Sequence, residues 1–335
     1  MEKHISEENI GVAIIGCGLI GHKRARALGL ARLVVCVDTV RERAEALACL
    51  NAGAEATTDW QSAVTRKDVK VVIVSTTNHA LAPVTIAALQ AGKPVLVEKP
   101  AACTVPEIES VISAAKHAGV PVRVGFNHRY HPALRQARVL FDEGQLGELM
   151  FIRGRYGHGG RIGYEKEWRA NPALSGGGEL IDQGVHIIDL ARWFLGEFSE
   201  VTGFAHTYYW KMPVDDNAFM TLKTSSRQVA FLHVSCTEWK NLFSLEVYGK
   251  QAKLHVEGLG GSYGVERLTY YKMLPQMGPP KTTVWDYPAG DNSWQLEFEE
   301  FLEDIRLGRP PAAGLADAEA ALQVVEKIYQ QSRQD

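Results

Sequence analysis

Three groups of residues in this 335-residue chain have types and spacings that can do chemistry. The stretch Gly178-Glu179-Leu180-Ile181-Asp182-Gln183-Gly184-Val185-His186 sets a carboxylate and an imidazole four residues apart, and side chains four apart are neighbours on one helix face. Val95-Leu96-Val97-Glu98-Lys99-Pro100 puts a lysine where an apolar run ends, before a proline that stops the strand and stiffens the turn. Gly16-Cys17-Gly18-Leu19-Ile20-Gly21 follows the apolar run Val12–Ile15 and opens a helical pattern. Glycines there allow a tight turn and close backbone approach to a pyrophosphate, whose charge the helix N-terminus favours. A dinucleotide cradle, an ammonium and a carboxylate–imidazole pair are together the inventory of an enzyme that takes a hydride off an alcohol carbon while a base takes the hydroxyl proton.

Each group has a plainer explanation when taken alone. Glycine turns arise for packing, but here a second apolar run, Leu33–Val37, ends at Asp38, 20 residues beyond Gly18. An acid at that spacing accepts ribose hydroxyls and repels a 2′-phosphate, which favours NAD over NADP. Arg41 and Arg43 keep NADP open, although both suit a solvated helix. A lysine before a proline is usually a surface residue; at the carboxyl end of a parallel strand it can hold a substrate hydroxyl and stabilise charge growing on its oxygen. Asp182, His186 and Asp189 recur at i, i+4 and i+7 on a helix with apolar sides. A core histidine would explain the pair, and a metal has no convincing third ligand, so no metal is expected; the company of Lys99 and the glycine loop makes the pair catalytic.

The elements that must position these residues change character along the chain. From residue 11 to about 125, Val12–Ile15, Leu33–Val37, Val71–Ser75, Pro94–Glu98 and Val122–Val124 read as strands, most of them separated by helix-length segments, which predicts a parallel sheet covered on both faces. Beyond residue 148, Met150–Tyr156, Val201–Tyr209, Ala218–Leu222, Val229–Cys236, Phe243–Tyr248 and Lys253–Val256 follow one another with short connections, which predicts a mostly antiparallel open sheet. The expected division is a dinucleotide-binding domain over 1–125 and a substrate-binding and oligomerisation domain over 126–335, closed by helices at 292–307 and 315–331. Two domains agree with a length above the roughly 250–300 residues of single cores.

Composition excludes more than it identifies. A net charge of −3 and a pI near 6.4 argue against nucleic acid as partner. No apolar run reaches the roughly 18 residues of a membrane helix, and the polar start from Met1 to Ile10 predicts no signal peptide. Cys17, Cys36, Cys49, Cys103 and Cys236 are odd in number and form no C-x-x-C, which fits a reduced, cytoplasmic protein. The stretch 153–169 is glycine-rich and carries Arg153, Arg155, Arg161 and Arg169 with Tyr156, Tyr164 and Trp168. By order it can roof the substrate: planar donors for an anion, rings to stack on a sugar. A solvated loop or subunit contact explains it equally well, with Glu165 and Glu167 offsetting the charge.

The three motifs, in this order and with Gly125-Phe126-Asn127-His128-Arg129-Tyr130 and Gly144-Gln145-Leu146-Gly147, resemble the Gfo/Idh/MocA oxidoreductases over almost the whole chain. The resemblance implies a Rossmann domain followed by an α/β domain whose open sheet builds dimers or tetramers. It implies Lys99, Asp182 and His186 as the catalytic set, with His186 as proton acceptor and the other two orienting the hydroxyl. It implies that Ser75, Thr76 and Asn78 touch the cofactor, which is also expected at Gly16, Gly18, Leu19, Ile20, Gly21, Asp38, Arg43, Glu98 and Lys99; the substrate is expected at Lys99, Asn127, Arg129, Asp182 and His186, and at Tyr156, Arg161 and Trp168 of the 153–169 stretch. The chain departs from many relatives at Thr77, where they have proline, and at Leu81, where a histidine is expected and His79 comes earlier. The expected reaction is NAD(P)-dependent oxidation of a secondary hydroxyl on a sugar, cyclitol or sugar nucleotide, the loop arginines suggesting an anionic one. An NAD-dependent glycoside hydrolase and a ligand-sensing regulator are the alternatives; a regulator would be expected to lose the lysine or the histidine.

Overall fold

The computed structural model describes residues 10–333; most of the polar start from Met1 and the last two residues lie outside the described residues. The described chain divides into two units, one running to Phe126 and taking in Trp294–Glu319, the other made of Asn127–Ser293 and the chain from Ala320 onward. No helix among the described residues is long and apolar enough to cross a membrane.

In the first unit, strands β1 (Gly11–Ile15), β2 (Arg32–Val37), β3 (Glu55–Thr57), β4 (Val71–Val74), β5 (Val95–Val97) and β6 (Val122–Val124) form one parallel sheet in the order β3-β2-β1-β4-β5-β6. Helices α1 (Leu19–Arg26), α2 (Arg41–Cys49), α3 (Trp60–Thr65), α4 (Asn78–Gln90) and α5 (Val105–Ala118) connect them. The central strands β1 and β4 are buried at every position, which is why their sequences are unbroken Val, Ile and Ala rather than alternating. Strand order reverses between β1 and β4, and ligands of such sheets bind beyond the carboxyl ends at that reversal. The glycine loop leaves β1 there and Ser75–Asn78 leaves β4.

The second unit carries an eight-stranded sheet. After helix α6 (Pro132–Asp142) come β7 (Leu149–Gly157), the short helix α7 (Pro172–Ser175) and helix α8 (Val185–Leu195), then β8 (Phe198–His206), β9 (Asn217–Thr224), β10 (Val229–Ser235), β11 (Leu242–Gly249), β12 (Ala252–Glu257), β13 (Glu266–Lys272) and β14 (Lys281–Tyr287). Their order is β14-β13-β12-β11-β7-β10-β9-β8, antiparallel throughout except where β7 runs parallel to β10. Residues alternate inward and outward; Ile152, Gly154 and Tyr156 turn one way on β7 while Arg153 and Arg155 are exposed on the other. Strand β14 escaped the sequence reading because, as an exposed edge, it buries no face to give it an apolar alternation.

Two helices end the chain, α9 (Ser293–Leu307) and α10 (Leu315–Ser332). The sequence places both in the second domain. Instead α9 belongs almost wholly to the first unit, where Phe298, Phe301 and Leu302 join a core cluster with Ile14, Leu33, Leu47 and Ile73. Spacing of i, i+3 and i+4 identifies an apolar stripe but not which sheet receives it. From Ala320 onward α10 serves the second unit, with Gln331 Oε1 accepting from Gly203 N–H.

Candidate active site

The glycine loop of the first unit is shaped for something other than protein. Gly16 has φ +99°, and a side chain there would strike Ser75 O at 2.4 Å, so only glycine fits the turn. A side chain on Gly18 would meet nothing within 4 Å: the space above it is open. Gly18 precedes α1 without any side-chain cap, leaving the first helical N–H groups directed into that space, with Leu19 exposed beside it. Ser75 Oγ donates to Gly16 O at 2.7 Å and fixes the loop from the β4 side. From the β2 side, Asp38 accepts from Cys17 N–H and Val40 N–H, both at 2.9 Å. Each carboxylate oxygen keeps a further lone pair, so Asp38 can brace the loop and still receive ribose hydroxyls. The residues fit a dinucleotide. Thr76 Oγ1 donates to Thr77 O, Asn78 is buried in the first turn of α4, and Arg43 is exposed on α2 with Ala44 turned inward.

Glu98 and Lys99 leave the carboxyl end of β5 as the sequence suggests, but Glu98 is engaged by a cation that the sequence reading missed. Arg24 of α1, fully buried, donates Nε to Glu98 Oε1 at 2.6 Å and Nη1 to Glu297 Oε2 of α9 at 2.6 Å. Trp294 stacks on the same guanidinium, 4.5 Å from its carbon to the ring centre. The triad clamps α1, the start of the Lys99 turn and α9 together. Burial, with Glu98 nearby and Arg24 opposing, pushes the Glu297 carboxyl up to about 7.

In the second unit the segment carrying Asp182 and His186 is not a regular α-helix throughout. Leu180–Gly184 form a π-helical turn that passes into α8 at Val185. Gly178 lies so close to Asp215 that a side chain would meet its carbonyl at 1.9 Å, and the Asp215 carboxylate takes Gly178 N–H, Leu180 N–H and Tyr329 O–H at 3.0, 2.8 and 2.7 Å. That buried cap fixes the start of the segment, and the wide turn re-aims the side chains after it. The expected four-residue neighbourhood therefore belongs to a π turn joined to an α turn.

Asp182, 7% exposed, accepts from Arg169 Nε at 2.8 Å, and the pairing tightens the proton on Arg169, Asp182 being its largest influence. The Arg169 guanidinium lies 4.6 Å over the half-buried Trp168 ring. His186, 4% exposed, stacks on His128 with ring centres 3.8 Å apart and 20° between planes. Tyr156 meets His128 edge-on at 5.1 Å, and burial holds its phenol well above its ordinary range.

Other residues expected at the substrate have protein partners. Arg129 grips Asp189 with Nε and Nη2, the first at 2.8 Å, so the third acid of the helix face serves this buried pair. Asn127 Nδ2 donates to Ser293 Oγ at 2.9 Å. Arg161, largely exposed, is held by Glu167 at 2.7 Å through both Nε and Nη2. Arg153 pairs with Glu246 across the exposed sheet face. The supposed anion-binding arginines are thus divided between sheet face, surface pair and Asp182, because β7 continues to Gly157 and strand alternation turns two of them away. The loop proper is His158 to Gly163.

Among known proteins, a family model described as oxidoreductase family, NAD-binding Rossmann fold matches residues 10–126, and one for the GFO/IDH/MocA C-terminal domain matches 134–255. Inositol 2-dehydrogenase of Salmonella typhimurium is 32% identical over 311 residues, 89% of this chain and 87% of its own length. The chain belongs to the Gfo/Idh/MocA family. The open cradle above Gly18 lies within the part of the chain that the NAD-binding Rossmann model matches. Among relatives, scyllo-inositol 2-dehydrogenase (NAD(+)) of Bacillus subtilis is 26% identical over 95% of this chain and 92% of that protein. Levoglucosan dehydrogenase of Pseudarthrobacter phenanthrenivorans is 32% identical over 65% of this chain; the match spans 59% of that relative, and 57% of inositol 2-dehydrogenase 2 of Saccharopolyspora erythraea. In fold, a solved levoglucosan dehydrogenase in complex with NADH and levoglucosan gives a TM-score of 0.88 at 24% identity, covering 97% of this chain and 98% of that one.

His128, Asp215 and the Arg24–Glu297 arm are the members of this Gfo/Idh/MocA protein that sequence reasoning missed, and Arg169, expected to meet an anionic substrate, holds Asp182 instead. His128 stands inside the Gly125–Tyr130 motif, and its type alone was a signal. The others lie 13 to 273 residues from their partners, and spacing carries no trace of such pairs.

Proposed function

We propose that this protein is an NAD-dependent dehydrogenase of a neutral sugar or cyclitol, with Lys99, Asp182 and His186 as its catalytic residues. The observation that carries the reading is the retention of all three at built positions: the lysine beyond β5, the aspartate tied to Arg169, the histidine stacked on His128. Bound NAD supplies the acceptor for a hydride from the alcohol carbon. The His186 imidazole takes the hydroxyl proton as the carbon is oxidised to a ketone, and the His128 face holds that ring in one orientation. The Lys99 ammonium stabilises charge growing on the oxygen, and Asp182, paired with Arg169, accepts a hydrogen bond from the substrate and orients it. Asp38 favours NAD over NADP. Neutrality of the substrate is supported by the carboxylate partners of Arg153, Arg161 and Arg169. The half-exposed Phe204 and Phe231 on the open sheet support assembly as a homodimer or homotetramer, which light scattering tests.

The deciding experiment follows the nicotinamide absorbance of NADH while the protein is offered inositols, anhydrosugars, glucosides, sugar acids and nucleotide sugars. Best turnover on a neutral polyol bears the reading out. Release of free sugar without net NADH would make it a glycoside hydrolase, and NAD binding without turnover of any sugar would make it a sensor.

A further inference from the structure

One acid beside the proposed catalytic set has no task in that reaction. Glu179 is 2% exposed, lies three residues before Asp182, and neither carboxylate oxygen has a hydrogen-bond partner. A buried carboxylate with nothing to bond is costly, and in a native protein such a group calls for an explanation. The polar group facing it is His158, whose Nε2 lies 3.6 Å from Glu179 Oε2. His158 begins the loop that ends at Gly163. Its Nδ1 accepts from Gly160 N–H at 3.0 Å, its own N–H donates to Ser235 O at 2.9 Å, and its carbonyl accepts from Glu238 N–H at 3.0 Å. Its ring meets Tyr164 edge-on at 5.5 Å.

A ring nitrogen that accepts from a backbone N–H carries no hydrogen. The His158 proton therefore sits on Nε2, directed at Glu179, and the carboxylate selects that tautomer. We propose that Glu179 is a positioning residue for the dehydrogenase reaction: acting through His158, it latches the 158–163 loop beside Asp182 and so sets affinity for the substrate. The inference rests on the dehydrogenase reading for its kinetic consequence but not for the latch itself.

The latch is sensitive to protons. A second proton on His158 must go to Nδ1, which turns that nitrogen from acceptor to donor and breaks the bond to Gly160. The groups facing His158 are Glu179 and Asp182 from the π-helical segment and its approach, Arg169 and Tyr164 from the loop region, and Glu238 beyond β10, whose own carboxylate lies 3.7 Å from His233. Burial pulls His158 down, but Glu179 and then Asp182 outweigh it and hold the imidazole above its ordinary value. Glu179 is itself raised by burial, with His158 opposing. Falling pH should therefore release Gly160 from the ring and raise KM, while the imidazolium stays beside Glu179 and the proton acceptor His186 is untouched.

The test uses the full-length protein with its cofactor. In Glu179→Gln, KM at neutral pH should rise about 2–10-fold, as the buried charge that faces His158 is removed, while kcat stays within about twofold. The acid-side rise in KM should move to lower pH, because the acid that holds up His158 is gone. In His158→Asn, whose amide oxygen can still accept from Gly160, the acid rise should vanish, and adding Glu179→Gln to it should change nothing further. An unchanged KM profile in Glu179→Gln, an equal loss in kcat, or additive effects in the double variant would overturn the proposal. Nitrogen shifts of ¹⁵N-histidine-labelled wild-type protein decide the latch without any variant or substrate: an acceptor Nδ1 and protonated Nε2 on His158 are expected, and the opposite tautomer refutes it even if no sugar is turned over.

Discussion

Replacing Arg169 by methionine should expose how far Asp182 depends on its cation. Methionine keeps an unbranched stem against Trp168 and removes the guanidinium, so the change isolates charge and hydrogen bonding from packing. Asp182 is 7% exposed and accepts from Nε at 2.8 Å, whereas the Arg169 side chain is 31% exposed. A hydrogen bond to a charged group contributes about 1.5–3 kcal/mol, and partial exposure of the arginine argues for the lower half of that range. At about 2 kcal/mol the second unit should melt some 4–8 °C lower. The kinetic effect has a definite sign. Asp182 raises Arg169, so by reciprocity Arg169 favours the ionised carboxylate, and its removal makes Asp182 easier to protonate. The acid limb of kcat/KM should then move to higher pH. Calorimetry gives the first quantity and a pH series of kcat/KM the second. A melting point lowered with an unmoved pH profile would show that Arg169 only packs, and that Asp182 is not the orienting acid.

Asp38→Ala removes the ribose acceptor and the brace on Cys17 N–H, so the dissociation constant for NADH should rise about 10–100-fold and preference over NADPH should narrow. Unchanged titration calorimetry would refute it. His186→Ala should lower kcat about 10²–10⁴-fold with cofactor affinity intact, and Lys99→Ala at least as much, so a fully active Lys99→Ala enzyme removes the catalytic assignment. Glu297, raised from 4.5 to about 7, binds its proton more tightly folded than unfolded. Its stabilising contribution is complete below 4.5 and is lost as pH climbs through 7, on the order of 3 kcal/mol. Urea unfolding of Glu297→Gln, which imitates the protonated form, should lack that slope, and a slope equal to wild type contradicts the buried-triad account. Arg161→Ala breaks an exposed pair with Glu167 and should leave KM within about twofold and salt-insensitive; a large salt-dependent rise would restore an anionic substrate.

The parallel sheet, the strand-to-glycine-loop passage, Asp38 at the end of β2 and Lys99 beyond β5 were all legible in the sequence. Each is a local pattern: a continuous Val/Ile run states burial on both faces, and a glycine states a turn no other residue can make. The same locality placed Asp182 and His186 together. It could not disclose the π turn that carries Asp182, whose start is held by Asp215 reaching Gly178 and Leu180 from another strand's approach. Nor could composition tell which arginines were available. Arg129 serves Asp189, Arg161 serves Glu167, Arg169 serves Asp182, and Arg24 joins Glu98 to Glu297 across 273 residues. Even α9 showed its apolar stripe but not its destination. Residue types and local spacing, which act through short-range sterics and periodic burial, determined the elements and the chemistry on offer. Which charge meets which, and hence what each acid is left free to do, was decided by the tertiary structure, because ion pairs form between surfaces that only folding brings within about 3 Å.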